Sequence, residues 1–260
     1  IAQLVAFGAV ALLLLFIHEQ RTAEPMLPLA LWRQRVVLLS NLGAGGAAVT
    51  MMAVTVLLPA YVQGVMGRSP SLAGFVLGAM SVSWMFASIT AGRLMIRTSY
   101  RLTATIGGAS LVAGALFLVT LDPADSVLWP AAGSFLIGIA MGFCNTTFLV
   151  AIQASVPWNE RGVATGSNMF MRMIGQSVGA ALFGAILNYG VHRRLPGSED
   201  AVNLLLDPGR RPGLGAGEVA RLADAVAASA QAVYGVVTAI AVATLLTTLA
   251  FPARLSPVRR

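Results

Sequence analysis

The stretch Leu128–Ala154, LWPAAGSFLIGIAMGFCNTTFLVAIQA, decides the fold class. It runs for 27 residues without a charge, and roughly 20 suffice for a helix to cross a hydrocarbon core of about 30 Å. Working outward, comparable apolar runs recur on both sides: Val36–Tyr61, Leu72–Ile96 and Leu102–Leu121 before it, Gly162–Tyr189 and Val233–Phe251 after it. Ile1–Ile17 is shorter, opens the chain without a Met and lacks the basic flank of a signal peptide. It reads as the cut end of a longer protein. The chain is 57% hydrophobic and 10% charged, with a mean hydropathy of +0.79, where a soluble domain carries about 25% charge. The fold class is therefore all-α: a polytopic transmembrane helix bundle in a lipid bilayer.

The basic residues set the topology. All 17 are Arg, and they sit mostly in the links between apolar runs. Alternate links fall on alternate sides. One side receives Arg21, Arg33, Arg35, Arg93, Arg97, Arg101, Arg161, Arg254, Arg259 and Arg260; the other receives Arg68, Arg193, Arg194, Arg210, Arg211 and Arg221. The positive-inside rule makes the first set, and the C-terminus, cytoplasmic. The net charge of +7 is thus a membrane signal and not a nucleic-acid face, which would need a soluble surface to carry it. The chain divides into a truncated first span at 1–17, a cytoplasmic link at 18–35, a six-helix bundle at 36–253 and a cytoplasmic tail at 254–260. An extracytoplasmic loop at about 191–231 interrupts the bundle, with Ala216–Ala232 as a short surface helix.

Small residues mark where helices approach closely in lipid, because hydrocarbon provides no hydrophobic drive between apolar helices. Gly74, Gly78, Ser81, Met85, Ser88 and Gly92 follow steps of four and three along one helical face. Thr103, Gly107, Ser110 and Gly114 repeat the pattern in the next span. Gly138, Gly142 and Asn145 follow, then the pairs Gly162/Gly166 and Gly175/Gly179. Tight packing in any bundle explains each pair; seams in successive spans also fit helices that slide or rock.

Polar residues at depth are the candidates for function. Every Asp and Glu lies in a link or near a span end, so no span centre offers a coupling carboxylate. Arg172 is the one charge well inside a span, and Asn168, Arg172 and Gln176 form a stripe at i, i+4, i+8. The stripe fits a water-exposed path or a partner acid elsewhere, and equally an Arg that snorkels to the headgroups. Asn145, Thr146 and Thr147, with Thr50 and Thr55, line a cavity or bond to their own and neighbouring helices. Met51, Met52, Trp84, Phe86 and Phe148 offer a soft apolar surface for hydrophobic ligands, or simply pack. No catalytic residue, metal site or cofactor is read: neither His has ligand neighbours and Cys144 is the sole cysteine.

Three stretches carry a family resemblance: Glu24-Pro-Met-Leu-Pro-Leu-Ala-Leu-Trp-Arg33, Leu58-Pro-Ala-Tyr-Val-Gln-Gly-Val-Met-Gly-Arg-Ser-Pro-Ser-Leu-Ala-Gly74, and Arg161-Gly-Val-Ala-Thr-Gly-Ser-Asn-Met-Phe-Met-Arg-Met-Ile-Gly-Gln-Ser-Val-Gly179. With the spacing of spans, the chain resembles the major facilitator superfamily and is most similar to its fourteen-span drug:proton antiporters, the QacA/EmrB-like group. The resemblance implies that 36–253 is the six-helix C-terminal half of such a fold and that 1–17 is the truncated last linker helix before it. It implies efflux of hydrophobic or cationic small molecules, the proton as coupling ion, and an N-terminal half as partner. One motif departs: the link Gly92-Arg93-Leu-Met-Ile-Arg-Thr-Ser-Tyr-Arg101 has Ile96 and Ser99 where the family places an acid and a glycine. The charge lock centred on Arg93 is weakened accordingly. The rival reading is a non-transporting membrane partner or regulator built on a half-bundle.

Overall fold

The structure, a computed structural model, describes residues 8, 10, 13, 14, 17, 18, 31–196, 201–206 and 215–252. Most of the linker span at 1–17, the tail at 254–260 and the Arg210–Arg211 part of the long link fall outside these. The described residues are all-α, with six helices long and apolar enough to cross a membrane. They are α1 (Arg35–Val65), α2 (Pro70–Arg97), α3 (Tyr100–Val119), α4 (Leu128–Ser155), α5 (Arg161–Arg194) and α7 (Ala216–Leu249), with a short α6 (Ala201–Leu206) between the last two. A 3-10 turn, Leu31–Arg33, precedes α1.

Local chemistry explains the breaks. Gly67, the one described residue at positive φ (63°), ends α1, and the Arg68 N–H reaches back 3.0 Å to the Val62 carbonyl around it. Ser69 then caps α2, accepting from the Leu72 N–H with Pro70 in the first turn. Ser99 caps α3 in the same way through Leu102. Asp122 and Asp125 tie the α3–α4 turn by accepting from the Ala124 and Asp122 N–H groups, each at 2.8 Å.

One expectation needs correcting. Ala216–Ala232 is not a separate surface helix but the first half of a continuous α7. No Pro lies between Ala216 and Leu249, and the stretch is rich in Ala, the best helix former. Leu222, Ala225, Val226, Ser229 and Ala230 are buried along it, so it packs as part of the bundle.

The principal contacts are α2 with α4, α3 with α4, α1 with α5, α3 with α7, α1 with α4, α1 with α7 and α5 with α7. All but the last map onto one another when α1, α2 and α3 are exchanged for α4, α5 and α7. The six spans thus form two three-helix units in pseudo-twofold relation, with α1 and α4 as equivalent central helices. Glycines set the spacing at both equivalent crossings. A Cβ on Gly138 of α4 would meet the Ser83 hydroxyl and the Met80 carbonyl of α2; one on Gly175 of α5 would meet the Gly45 carbonyl of α1. Gly142 and Gly179 continue the two seams against Ala87 and Val49.

Candidate functional site

α1 touches α4, α5 and α7, and its two halves are built differently. Arg35–Met52 is regular; beyond it lie two π-turns, Ala53–Leu57 and Tyr61–Val65. In the second, the Met66 N–H bonds the Tyr61 carbonyl five residues back at 3.0 Å. Such wide turns concentrate at functional sites. Beside the first, a small cleft of about 70 Å³ opens between α1 and α5, lined by Met52, Val56, Leu57, Ala180, Phe183, Gly184 and Leu187. Every lining side chain is apolar. Thr55 does not contribute: its hydroxyl donates to the Met51 carbonyl at 3.1 Å and sits 3.4 Å from the Met52 sulfur. Of the nine path candidates only Met52 lines this cleft.

The polar stripe of α5 divides. Asn168 turns into α1, donating to Asn41 Oδ1 at 3.1 Å and the Ser40 carbonyl at 3.2 Å. Asn41 donates in turn to Ser167 Oγ at 3.1 Å, and the Trp32 indole N–H reaches the same oxygen at 3.0 Å. This clasp ties the regular half of α1 and the preceding 3-10 turn to α5, and Leu31 packs below it with Val37, Ile152, Val156 and Ala164. Arg172 and Gln176 stay half-buried at the edge of the packed face, with no hydrogen bond or ion pair among the described residues. The clasp is visible in the sequence only as isolated polar residues in apolar runs; Asn41 and Ser167 lie 126 positions apart, and nothing local pairs them.

The remaining candidates spread over other crossings. Asn145 Nδ2 is enclosed in α4 without a partner, as are Thr147 Oγ1 and Ser134 Oγ. Trp84 is half-buried on α2, its carbonyl facing Gly142 of α4. Met51 is half-buried on α1. Phe148 is wholly enclosed, with its ring tip against Gly43 and its face 6.0 Å from Phe251. It fills the space that Gly43 leaves, so in this structure it packs and does not line a path. Gly74, Gly78 and Gly92 have no neighbour within 4 Å of where a Cβ would stand, Ser81 is exposed, and Arg93 is exposed beside them. α2 instead meets α4 through Ala73, Val76, Met80, Ser83, Ala87 and Ala91. α5 likewise leaves Gly162, Gly166 and Gly184 open.

Known proteins share this organisation. The chain is 30% identical over 185 residues to the multidrug transporter protein MdtP of Bacillus subtilis, covering 71% of this chain and 34% of that protein. It is 27% identical to a tetracycline resistance determinant of Streptomyces rimosus, over 71% of this chain and 54% of that protein. The methyl viologen resistance protein SmvA of Salmonella typhimurium is 29% identical, over 83% of this chain and 43% of that protein. The chain thus spans about a third to a half of the length of these relatives. In fold it matches a bacterial homologue of the human lysosomal transporter Spinster, solved inward-facing and unoccupied, with a TM-score of 0.60 at 16% identity, over 88% of this chain and 52% of that one. The sequence profile of the Major Facilitator Superfamily matches residues 2–180, and with two equivalent three-helix units crossing the membrane, this multi-pass chain belongs to that superfamily.

Proposed function

We propose that the chain is the C-terminal half of a secondary transporter that moves hydrophobic or cationic small molecules out of the cell, driven by protons. The carrying observation is the pair of uncovered small-residue faces, Gly74/Gly78/Ser81/Gly92 on α2 and Gly162/Gly166/Gly184 on α5. In lipid such faces associate only by close backbone approach, so they suit an N-terminal bundle packed against both helices. On this reading residues 1–17 are the last linker span, 36–253 the C-terminal bundle and 254–260 its tail. The end bearing Arg35, Arg97 and Arg161 is cytoplasmic, and the long link after α5 is outside.

The α1–α5 cleft supports the substrate class. An all-apolar wall with a polarizable methionine accepts varied hydrophobic molecules without demanding one hydrogen-bond pattern. Resistance to tetracycline and methyl viologen, named for two relatives, belongs to the same range. Arg172 and Gln176 supply polar groups beside the packed face for a charged or hydrated portion of the path. Because no carboxylate lies mid-span in this sequence, the proton is handled by the N-terminal half.

Accumulation of a lipophilic cationic dye by cells expressing the complete gene product tests this. Expression should lower accumulation, and collapsing the proton gradient should abolish the difference. Equal accumulation with and without expression would refute the proposal.

A further inference from the structure

The long link carries a device that the transport reading does not require. α6 is only six residues long, yet its Leu205 is 2% exposed and belongs to the main apolar core with Val62 and Met66 of the α1 end and Leu222 and Val226 of α7. Its seat is Gly64, inside the second π-turn of α1. A Cβ placed on Gly64 would stand 3.3 Å from Leu205 Cβ and 3.7 Å from Leu206 Cδ2. The side chain of α6 therefore occupies the room that the missing Gly64 side chain leaves.

A π-turn holds one residue more than the α-turn it replaces. Converting it to α slips the register by one residue and rotates everything beyond it by about 100°. Either π-turn of α1 precedes or contains Gly64. After such a slip Gln63 or Val65 would face α6 in place of Gly64. Both carry a Cβ and more, where even a bare Cβ is in tight contact. Docked α6 thus fits one register of α1 only.

We propose that α6 is a register latch: seated on Gly64 it holds the far half of α1 in its π-turn form, and the half can rewind to α only when α6 lifts off. The polar clasp at Asn41 and Asn168 holds the opposite half regular, so the change is confined to residues 53–65. The device depends on neither substrate nor coupling ion.

The test uses the complete gene product in nanodiscs, in a Cys144→Ala background. Maleimide should label Leu205→Cys slowly, and at least tenfold faster once Gly64→Val fills the seat. Hydrogen exchange is then followed in the otherwise unaltered protein and in Leu205→Ala, which keeps the Cβ but strips the buried side chain that holds α6 on its seat. Amides of 53–65 should exchange differently by tenfold or more in Leu205→Ala, while those of 35–50 stay unchanged and serve as the internal check on folding. Equal labelling of Leu205→Cys in both backgrounds would overturn the docking. Exchange in 53–65 that matches the parent in Leu205→Ala would overturn the latch, as would a change that extends equally through 35–50.

Discussion

α2 has two small-residue faces, and only one of them is covered. Ala73, Ser83, Ala87 and Ala91 lie against α4, where Gly138 and Gly142 admit the α2 backbone and the Ser83 hydroxyl donates across the crossing to the Phe135 carbonyl at 2.8 Å. Gly74, Gly78, Ser81 and Gly92, a quarter-turn away, are left uncovered among the described residues. Its pseudo-symmetry mate α5 repeats the contrast: Gly175 and Gly179 are pressed onto α1, while Gly162, Gly166 and Gly184 are open. A row of small residues therefore marks a surface able to pack closely. It does not say which partner packs there, or whether that partner belongs to the same chain.

The sharpest break of the covered face is Gly138→Val. The new side chain would enter the Ser83 hydroxyl and Met80 carbonyl, and backbone on both sides leaves no flexible end to yield. Overpacking of this kind costs about 3 kcal/mol or more. The folded yield after detergent extraction should collapse; yield equal to the parent would show that α2 and α4 are not this close. A smaller effect is expected from Asn168→Leu, which strips two bonds from the clasp and leaves Asn41 Oδ1 unpaired. A buried orphan costs about 1–3 kcal/mol in a soluble protein, whereas interhelical bonds in a membrane average about 0.6 and reach about 1.7 kcal/mol. The membrane scale governs here, so unfolding in mixed micelles should show a loss of about 1–2 kcal/mol. No loss would mean that the clasp does not hold α1 to α5.

Arg172 stands at the border between covered and open surface, so it separates function from packing. Arg172→Ala should lower dye efflux by the complete protein several-fold with little change in folded yield, and Arg172→Lys should retain more activity because the charge remains. Equal losses in both would point to the guanidinium shape and not its charge. The smallest effect belongs to the open face. In the 260-residue chain, Gly78→Leu should change stability by less than about 0.5 kcal/mol, the usual bound for a surface substitution. In the complete protein the same change should reduce transport. Strong destabilisation of the chain by itself would show that Gly78 already has a partner within it.

Much of this architecture was legible in the amino-acid order. Apolar run lengths located all six spans, with ends shifted by a few residues except in the last: the final run begins at Val233 by hydropathy, yet its helix begins at Ala216. That difference arises because hydropathy measures the solvent for a helix, while helix continuity depends only on the lack of a breaker. The seams at Gly138, Gly142, Gly175 and Gly179 carry the right residues in the right rhythm, and so does the open seam at Gly78. Rhythm is local and the partner is not, so the two kinds look alike in sequence. Phe148 could be read only as lining or packing for the same reason: its setting is fixed by Gly43 and Phe251, about a hundred residues away on either side. The π-turns of α1 left no signal in composition, since an extra residue in a turn changes the phase of the side chains and not their type.

The central claim is that the open faces of α2 and α5 await a second bundle and that transport needs both. Its most direct test is efflux of a lipophilic cationic dye from proteoliposomes under an imposed proton gradient, comparing the 260-residue chain by itself with the same chain co-reconstituted with the N-terminal bundle that the proposal requires. The account predicts no gradient-dependent movement by the chain by itself and its appearance when both segments are present. Gradient-driven efflux by the chain by itself, at a rate matching the paired segments, would contradict it.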